Sequence, residues 1–294
     1  MQSKRNQVEK RKISSQLRAL SNLLLTRRMA LSLISAGVVG ATINHTVAIH
    51  YAPEDSFPWQ VFVYTSAVEC GGVIVAKDWV LTAAHCVENK TAEEVRVVLA
   101  DKTPADDSGI QVAEIIKHPK FPKTTSVRTS RPYDVALLNL EFPPLRTLPP
   151  IKLVEAGHEG FPQDLVVAGW ACNSPVTEAL NWLTFRVFDC DDRLVFTEVS
   201  ESGRDQCDGL FGKRFSCAGG RGLFVAGIDE GDSGGGLTTV MEGDSRLVGI
   251  ANIPAGKLDG YARIAWHSNW INDCLSNKNS NQCRVAAQVR EPNE

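Results

Sequence analysis

The chain has 294 residues, 43% of them hydrophobic and 22% charged, which is enough for one or two large cores and argues against disorder, collagen or a coiled coil. Eight of the 31 basic residues but only one of the 34 acids fall in residues 1–28, so the remainder carries a net charge of −10. That balance excludes a nucleic-acid partner for the folded part.

In chain order, the basic start ends at Arg27 and Arg28 and gives way to the short apolar run Met29 to Gly40. Val39, Gly40 and Ala41 then supply the small residues that signal peptidase prefers, so residues 1–41 read as an export signal or targeting segment. The run is shorter than the roughly 20 residues a spanning helix needs, so no stable membrane insertion is expected after cleavage. A buried helix or an uncleaved anchor is the alternative. All eight cysteines lie beyond this segment and none forms a C-x-x-C pair, so disulfides in an oxidising compartment are expected rather than zinc.

From Pro58 onward, brief apolar runs alternate with turn-forming residues. They include "WQVFVY", "GGVIVA", "WVLTA", "VRVVLA", "VALLNL", "LVVAGW", "LTFRVF" and "RLVGIAN", all of which read as strands. No amphipathic stretch long enough for parallel β-α-β units lies between them. "WHSNWINDCL" has the apolar spacing of a short C-terminal helix. An all-β barrel or sandwich protein with a terminal helix follows. The four prolines between Glu141 and Pro150 mark a linker, dividing the chain into halves at 42–145 and 146–294.

Three stretches carry chemistry. "DEGDSGGGL" packs Ser233 among glycines, which are costly to order and so imply a backbone bent for a purpose. A serine hydroxyl needs a base to take its proton, and the base needs a third group to orient it. Among six histidines, His85 stands out because it ends an apolar strand in "WVLTAAHC", beside Cys86. A bridge from Cys86 to Cys70, across 15 intervening residues, would contribute roughly 3 kcal/mol and hold the histidine. Read alone, His85 is equally a structural histidine beside a disulfide. Asp134 opens the apolar strand "DVALLNL", where a buried acid requires hydrogen bonds; in isolation a strand-capping aspartate fits as well.

Taken in order, "LTAAHC", "YDVALLNL" and "GDSGGG" resemble the trypsin/chymotrypsin family of serine proteases, with further likeness in "PWQV", "HPKF", "VAGW" and "YARI". The resemblance implies two packed antiparallel six-stranded β-barrels with a short C-terminal helix. It implies an exported serine endopeptidase with Ser233 as nucleophile, His85 as general base and Asp134 as its orienting acid. The N–H groups of Gly231 and Ser233 would form the oxyanion hole, and Asp232 would receive a freed N-terminus. Gly227, Glu230, Asn252, Pro254 and Asp259 fall at substrate-pocket positions, and Cys207 with Cys217 resembles the pair flanking that pocket. Cys274 and Cys283 suit a local bridge, whereas Cys172 and Cys190 match no family pair.

The pattern also departs from the family. Asp229 replaces the cysteine four positions before the serine, and no "IVGG" begins the mature part. A catalytically weak or inactive protease-like binding protein is therefore the competing expectation. Expected partners are a protein or peptide substrate and a protease inhibitor. No cofactor and no metal are expected; Asp101, Asp106, Asp107 and Glu114 read as solvated loop acids.

Overall fold

The computed structural model describes residues 50–66, 69–100, 109–122, 131–144, 148–158, 164–170, 194–219, 228, 231–255, 258–286 and 289. Strands β2 (Gln60–Tyr64), β3 (Glu69–Ala76), β4 (Trp79–Thr82), β5 (Arg96–Leu99), β6 (Ile110–Lys117) and β7 (Ala136–Leu140) close into a barrel in the order β2-β3-β4-β7-β6-β5. Val and Leu dominate its interior: Val61, Val73, Val80, Leu81, Val97, Leu137 and Leu138 are all at most 0% exposed. β-branched and apolar side chains suit a pleated surface covered on its inner face.

A second ring is built from β9 (Leu165–Gly169), β10 (Val195–Glu201), β11 (Phe215–Gly219), β14 (Asp259–Arg263), β13 (Asp244–Ile253) and β12 (Gly236–Met241). It closes because β9 pairs with both β10 and β12. Two short strands attach outside: β1 (His50–Tyr51) pairs antiparallel with β10, and β8 (Lys152–Leu153) pairs parallel with β13. The β12–β13 hairpin turns at Glu242 and Gly243, both at positive φ (55° and 83°), the geometry whose twist matches its strands.

The sequence expectation of two six-stranded antiparallel barrels is met. The quoted apolar runs correspond to β2, β3, β4, β5, β7, β9 and β13; "LTFRVF" lies outside the described residues. β6 and β10 were less legible because neither forms a continuous apolar run, and β6 breaks its alternation at a bulge between Val112 and Glu114, as "IQVAEIIK" and "VFTEVSE" show. The C-terminal helix runs over Ile264–Ser276, and a short helix at Asn281–Arg284 follows it, tied back by Cys274–Cys283 and by the Trp270 indole donating to Cys283 O at 3.0 Å. The helix Arg204–Leu210, which no sequence signal had suggested, is only seven residues long and is held by Cys207–Cys217 rather than by amphipathic length.

One hydrophobic core runs through both barrels and reaches the C-terminal helix. Polar contacts also cross. Gln60 is 1% exposed; its amide donates to Ala168 O at 3.1 Å, and its oxygen accepts from Gly236 N–H at 3.4 Å. A buried amide with both ends occupied sets the spacing of the two barrels at this point. The same seam carries the residues singled out for chemistry.

Candidate active site

Strand β4 ends at Thr82, and the chain passes through Ala83 into a 3-10 turn over Ala84–Val87. Ala83 and Ala84 are both fully buried, so a larger side chain at either position would press into the packed core. The turn leaves His85 partly exposed, with 22% of its side chain accessible, while Cys86 beside it is bridged to Cys70 on β3. Cys70, His85 and Cys86 lie close enough to suggest a metal site, but the two sulfurs are bonded to each other and offer no thiolate.

Asp134 sits just before β7, its side chain fully buried. One carboxylate oxygen accepts the backbone N–H of His85 at 2.7 Å, and the other lies 2.7 Å from His85 Nδ1. A buried carboxylate is tolerable only when its oxygens are satisfied, and His85 satisfies both. The pairing places the ring proton on Nδ1 and leaves a lone pair on Nε2, facing away from the acid. From β13 of the second barrel, the Asn252 amide donates to the Asp134 carbonyl at 3.3 Å.

Ser233 lies in the turn that leads into β12 and is partly exposed. Its carbonyl accepts from Gly71 N–H of β3 at 2.7 Å, and Cys86 Sγ touches the same oxygen at 3.6 Å. The next residue, Gly234, has φ +86° and donates to Ala251 O at 2.7 Å. A Cβ on Gly234 would stand 2.2 Å from Thr82 Oγ1 and 2.3 Å from Gly71 O, so only glycine fits where this turn presses on the end of β4. The glycine-rich stretch is thus a close-packed turn that seats Ser233 against the strand ends leading to His85. Gly231 is also left-handed, at φ +101°.

Asp232 is buried, its carboxylate packed directly over Gly169 at the end of β9. Asp259 opens β14 and is 1% exposed, one oxygen accepting from Ile228 N–H and the other from Ala255 N–H, both at 2.9 Å. Burial pushes the Tyr261 hydroxyl up, and the carboxylates of Asp259 and Asp232 push the same way.

Residues 46–271 match the trypsin family. The chain belongs to that family. Among similar proteins, mouse vitamin K-dependent protein C is 29% identical over 75% of this chain and 50% of its own length. Mouse serine protease 56 is 30% identical over 82% of this chain and 40% of its own. Rabbit coagulation factor IX is 29% identical over 74% and 80% respectively. The chain therefore spans half or less of the first two relatives.

Of the residues expected at the site, His85, Asp134 and Asn252 are joined by hydrogen bonds, and the Ser233 turn is fastened to Gly71 beside the Cys70–Cys86 bridge. Pro254 is exposed just past β13. Asp259 is engaged by main-chain donors instead of standing open in a cleft. Gly227, Asp229 and Glu230 lie outside the described residues, as do Cys172, Cys190, residues 1–49 and the loop acids Asp101, Asp106 and Asp107. Glu114 is taken by Lys278 at 3.0 Å and by Arg284, latching the C-terminal helices to the first barrel. Thr82, whose hydroxyl donates to Gly71 O at 2.8 Å, and Tyr133, beside Asp134 in "YDV", carry no sequence signal that marks them as part of the site.

Proposed function

We propose that this chain is an exported serine endopeptidase whose triad is Ser233, His85 and Asp134. The observation that carries the reading is the grip of buried Asp134 on both the N–H and the Nδ1 of His85. A histidine held in that tautomer is a general base at Nε2. It takes the Ser233 hydroxyl proton as the oxygen attacks a peptide carbonyl carbon. The tetrahedral oxyanion is met by the N–H groups of Gly231 and Ser233. His85 then returns the proton to the leaving amine, and water repeats the sequence on the acyl-enzyme.

Membership of the trypsin family and three disulfides among the described residues support export to an oxidising compartment. Residues 1–41 act as the signal segment, followed by barrel-bearing halves at 42–145 and 146–294. The substrate is a protein or peptide, with a protease inhibitor as a further partner. Because Asp259 is 1% exposed and held by main-chain N–H groups on both oxygens, an apolar or small residue at the cleavage site is favoured over a basic one.

A fluorophosphonate that labels the wild-type chain and fails to label Ser233→Ala supports this reading. Absence of labelling in folded wild-type protein favours the competing reading, a protease-like binding protein.

A further inference from the structure

Tyr133 precedes Asp134 directly, and its backbone is left-handed at φ 63°. An aromatic residue is an outlier in that region, so its surroundings must hold it there. Its carbonyl accepts from Val135 N–H at 2.8 Å, closing a tight turn centred on Asp134 itself. His118, just past β6, fastens the same turn by donating its N–H to Val135 O at 3.0 Å.

The ring of Tyr133 is held from several directions. His118 stacks on it with centroids 4.7 Å apart and planes 23° from parallel. The Arg214 guanidinium lies 4.8 Å from the ring centroid, Lys120 Nζ lies at 5.6 Å, and His267 meets the ring at 6.0 Å. Arg214 comes from the second barrel, in the turn before β11, and also faces Trp266 at 5.1 Å. Burial, with lesser contributions from His267 and Lys120, drives the His118 pKa down to about 2, so His118 stacks as a neutral ring beside these cations.

We propose that Tyr133 is a positioning residue for the His85–Asp134 pair. Its ring, clamped by His118 and Arg214, holds the left-handed turn that aims the Asp134 carboxylate at His85. Because Arg214 belongs to the barrel that carries Ser233, correct aim of the acid depends on the two barrels being docked. Relaxing Tyr133 to an extended backbone would swing the Asp134 side chain, which could then no longer reach both the N–H and the Nδ1 of His85. The inference rests on the protease reading above.

The test combines the inactivation kinetics of diisopropyl fluorophosphate with the low-field Nδ1 proton resonance of His85, measured on Tyr133→Phe, Tyr133→Ala, Tyr133→Asn and Arg214→Met. Tyr133→Ala is expected to lower the limiting inactivation rate tenfold or more, with the half-saturating concentration within twofold, and to erase the resonance. Tyr133→Phe keeps the ring and is expected to keep both properties. Arg214→Met should lower the rate severalfold. Tyr133→Asn accepts the left-handed backbone but has no ring, so it covers the case in which the alanine variant does not fold; a severalfold loss is expected there too. Wild-type rate and resonance in Tyr133→Ala or Tyr133→Asn would overturn the proposal, as would a phenylalanine variant as damaged as the alanine one. Folded wild-type protein that does not react at all counts against the protease reading, whereas the resonance still tests the clamp in the resting state.

Discussion

Asp134 holds His85 by two bonds of 2.7 Å, one to the backbone N–H and one to the ring, so the acid orients both the turn and the imidazole. Asp134→Asn keeps the shape but supplies one oxygen where two are used, and its NH2 would oppose a donor on His85. Turnover of a peptide substrate is expected to fall by roughly 10⁴-fold while the far-ultraviolet spectrum stays that of the wild type. Full turnover in a folded variant would show that the pair is structural only.

Two left-handed glycines predict outcomes of different size. Gly243 sits at φ +83° with nothing within 4 Å of an added Cβ, so Gly243→Ala meets only the conformational penalty, about 1 kcal/mol. Gly234→Ala meets the same penalty and also drives a methyl into Thr82 Oγ1 and Gly71 O. Chemical denaturation should find it several-fold more destabilising, and serine labelling should be lost because the Ser233 turn must move. Equal midpoints for the two variants would contradict the close packing of that turn.

The Cys70–Cys86 bridge spans 16 positions and ties β3 to the histidine turn. Replacing both cysteines by alanine should lower unfolding free energy by about 3 kcal/mol, most of it through a less restricted unfolded chain. Urea melts measure this directly, and a change under about 1 kcal/mol would mean the unfolded chain is already constrained.

Acid should weaken the fold through His118. Burial is the largest cause of its lowered pKa, near 2 when folded against an ordinary value of 6.5. Between those values the unfolded chain binds a proton that the folded chain refuses. The contribution is therefore intact above about pH 6.5 and is lost as pH falls toward 2, with a slope of at most about 1.4 kcal/mol per pH unit. His118→Phe keeps an aromatic ring against Tyr133 but removes the ionisation, so its stability should fall less steeply with acid. Parallel pH–stability curves for the two proteins would sink this assignment.

Local residue pattern determined much of this protein. Period-two and short apolar runs such as "WQVFVY" and "WVLTA" report strands because a half-buried pleated strand dictates them locally. The glycines around Ser233 were legible because a left-handed turn and a close approach leave a compositional trace, and "LTAAHC" with "YDVALLNL" gave the family's order of His, Asp and Ser. What only the tertiary structure decided are relations between distant parts of the chain. The Asp134–His85 bonds span 49 positions, and the Asn252–Asp134 bond spans 118. The capture of Asp259 by main-chain N–H groups changed an open acid into a satisfied one, and no side-chain pattern encodes which backbone donors will meet a carboxylate. Tyr133 is the sharpest case. Nothing in "RPYDV" announces an aromatic residue at positive φ, because the strain is sustained by His118 and Arg214, which arrive from elsewhere in the chain only after the barrels close and dock.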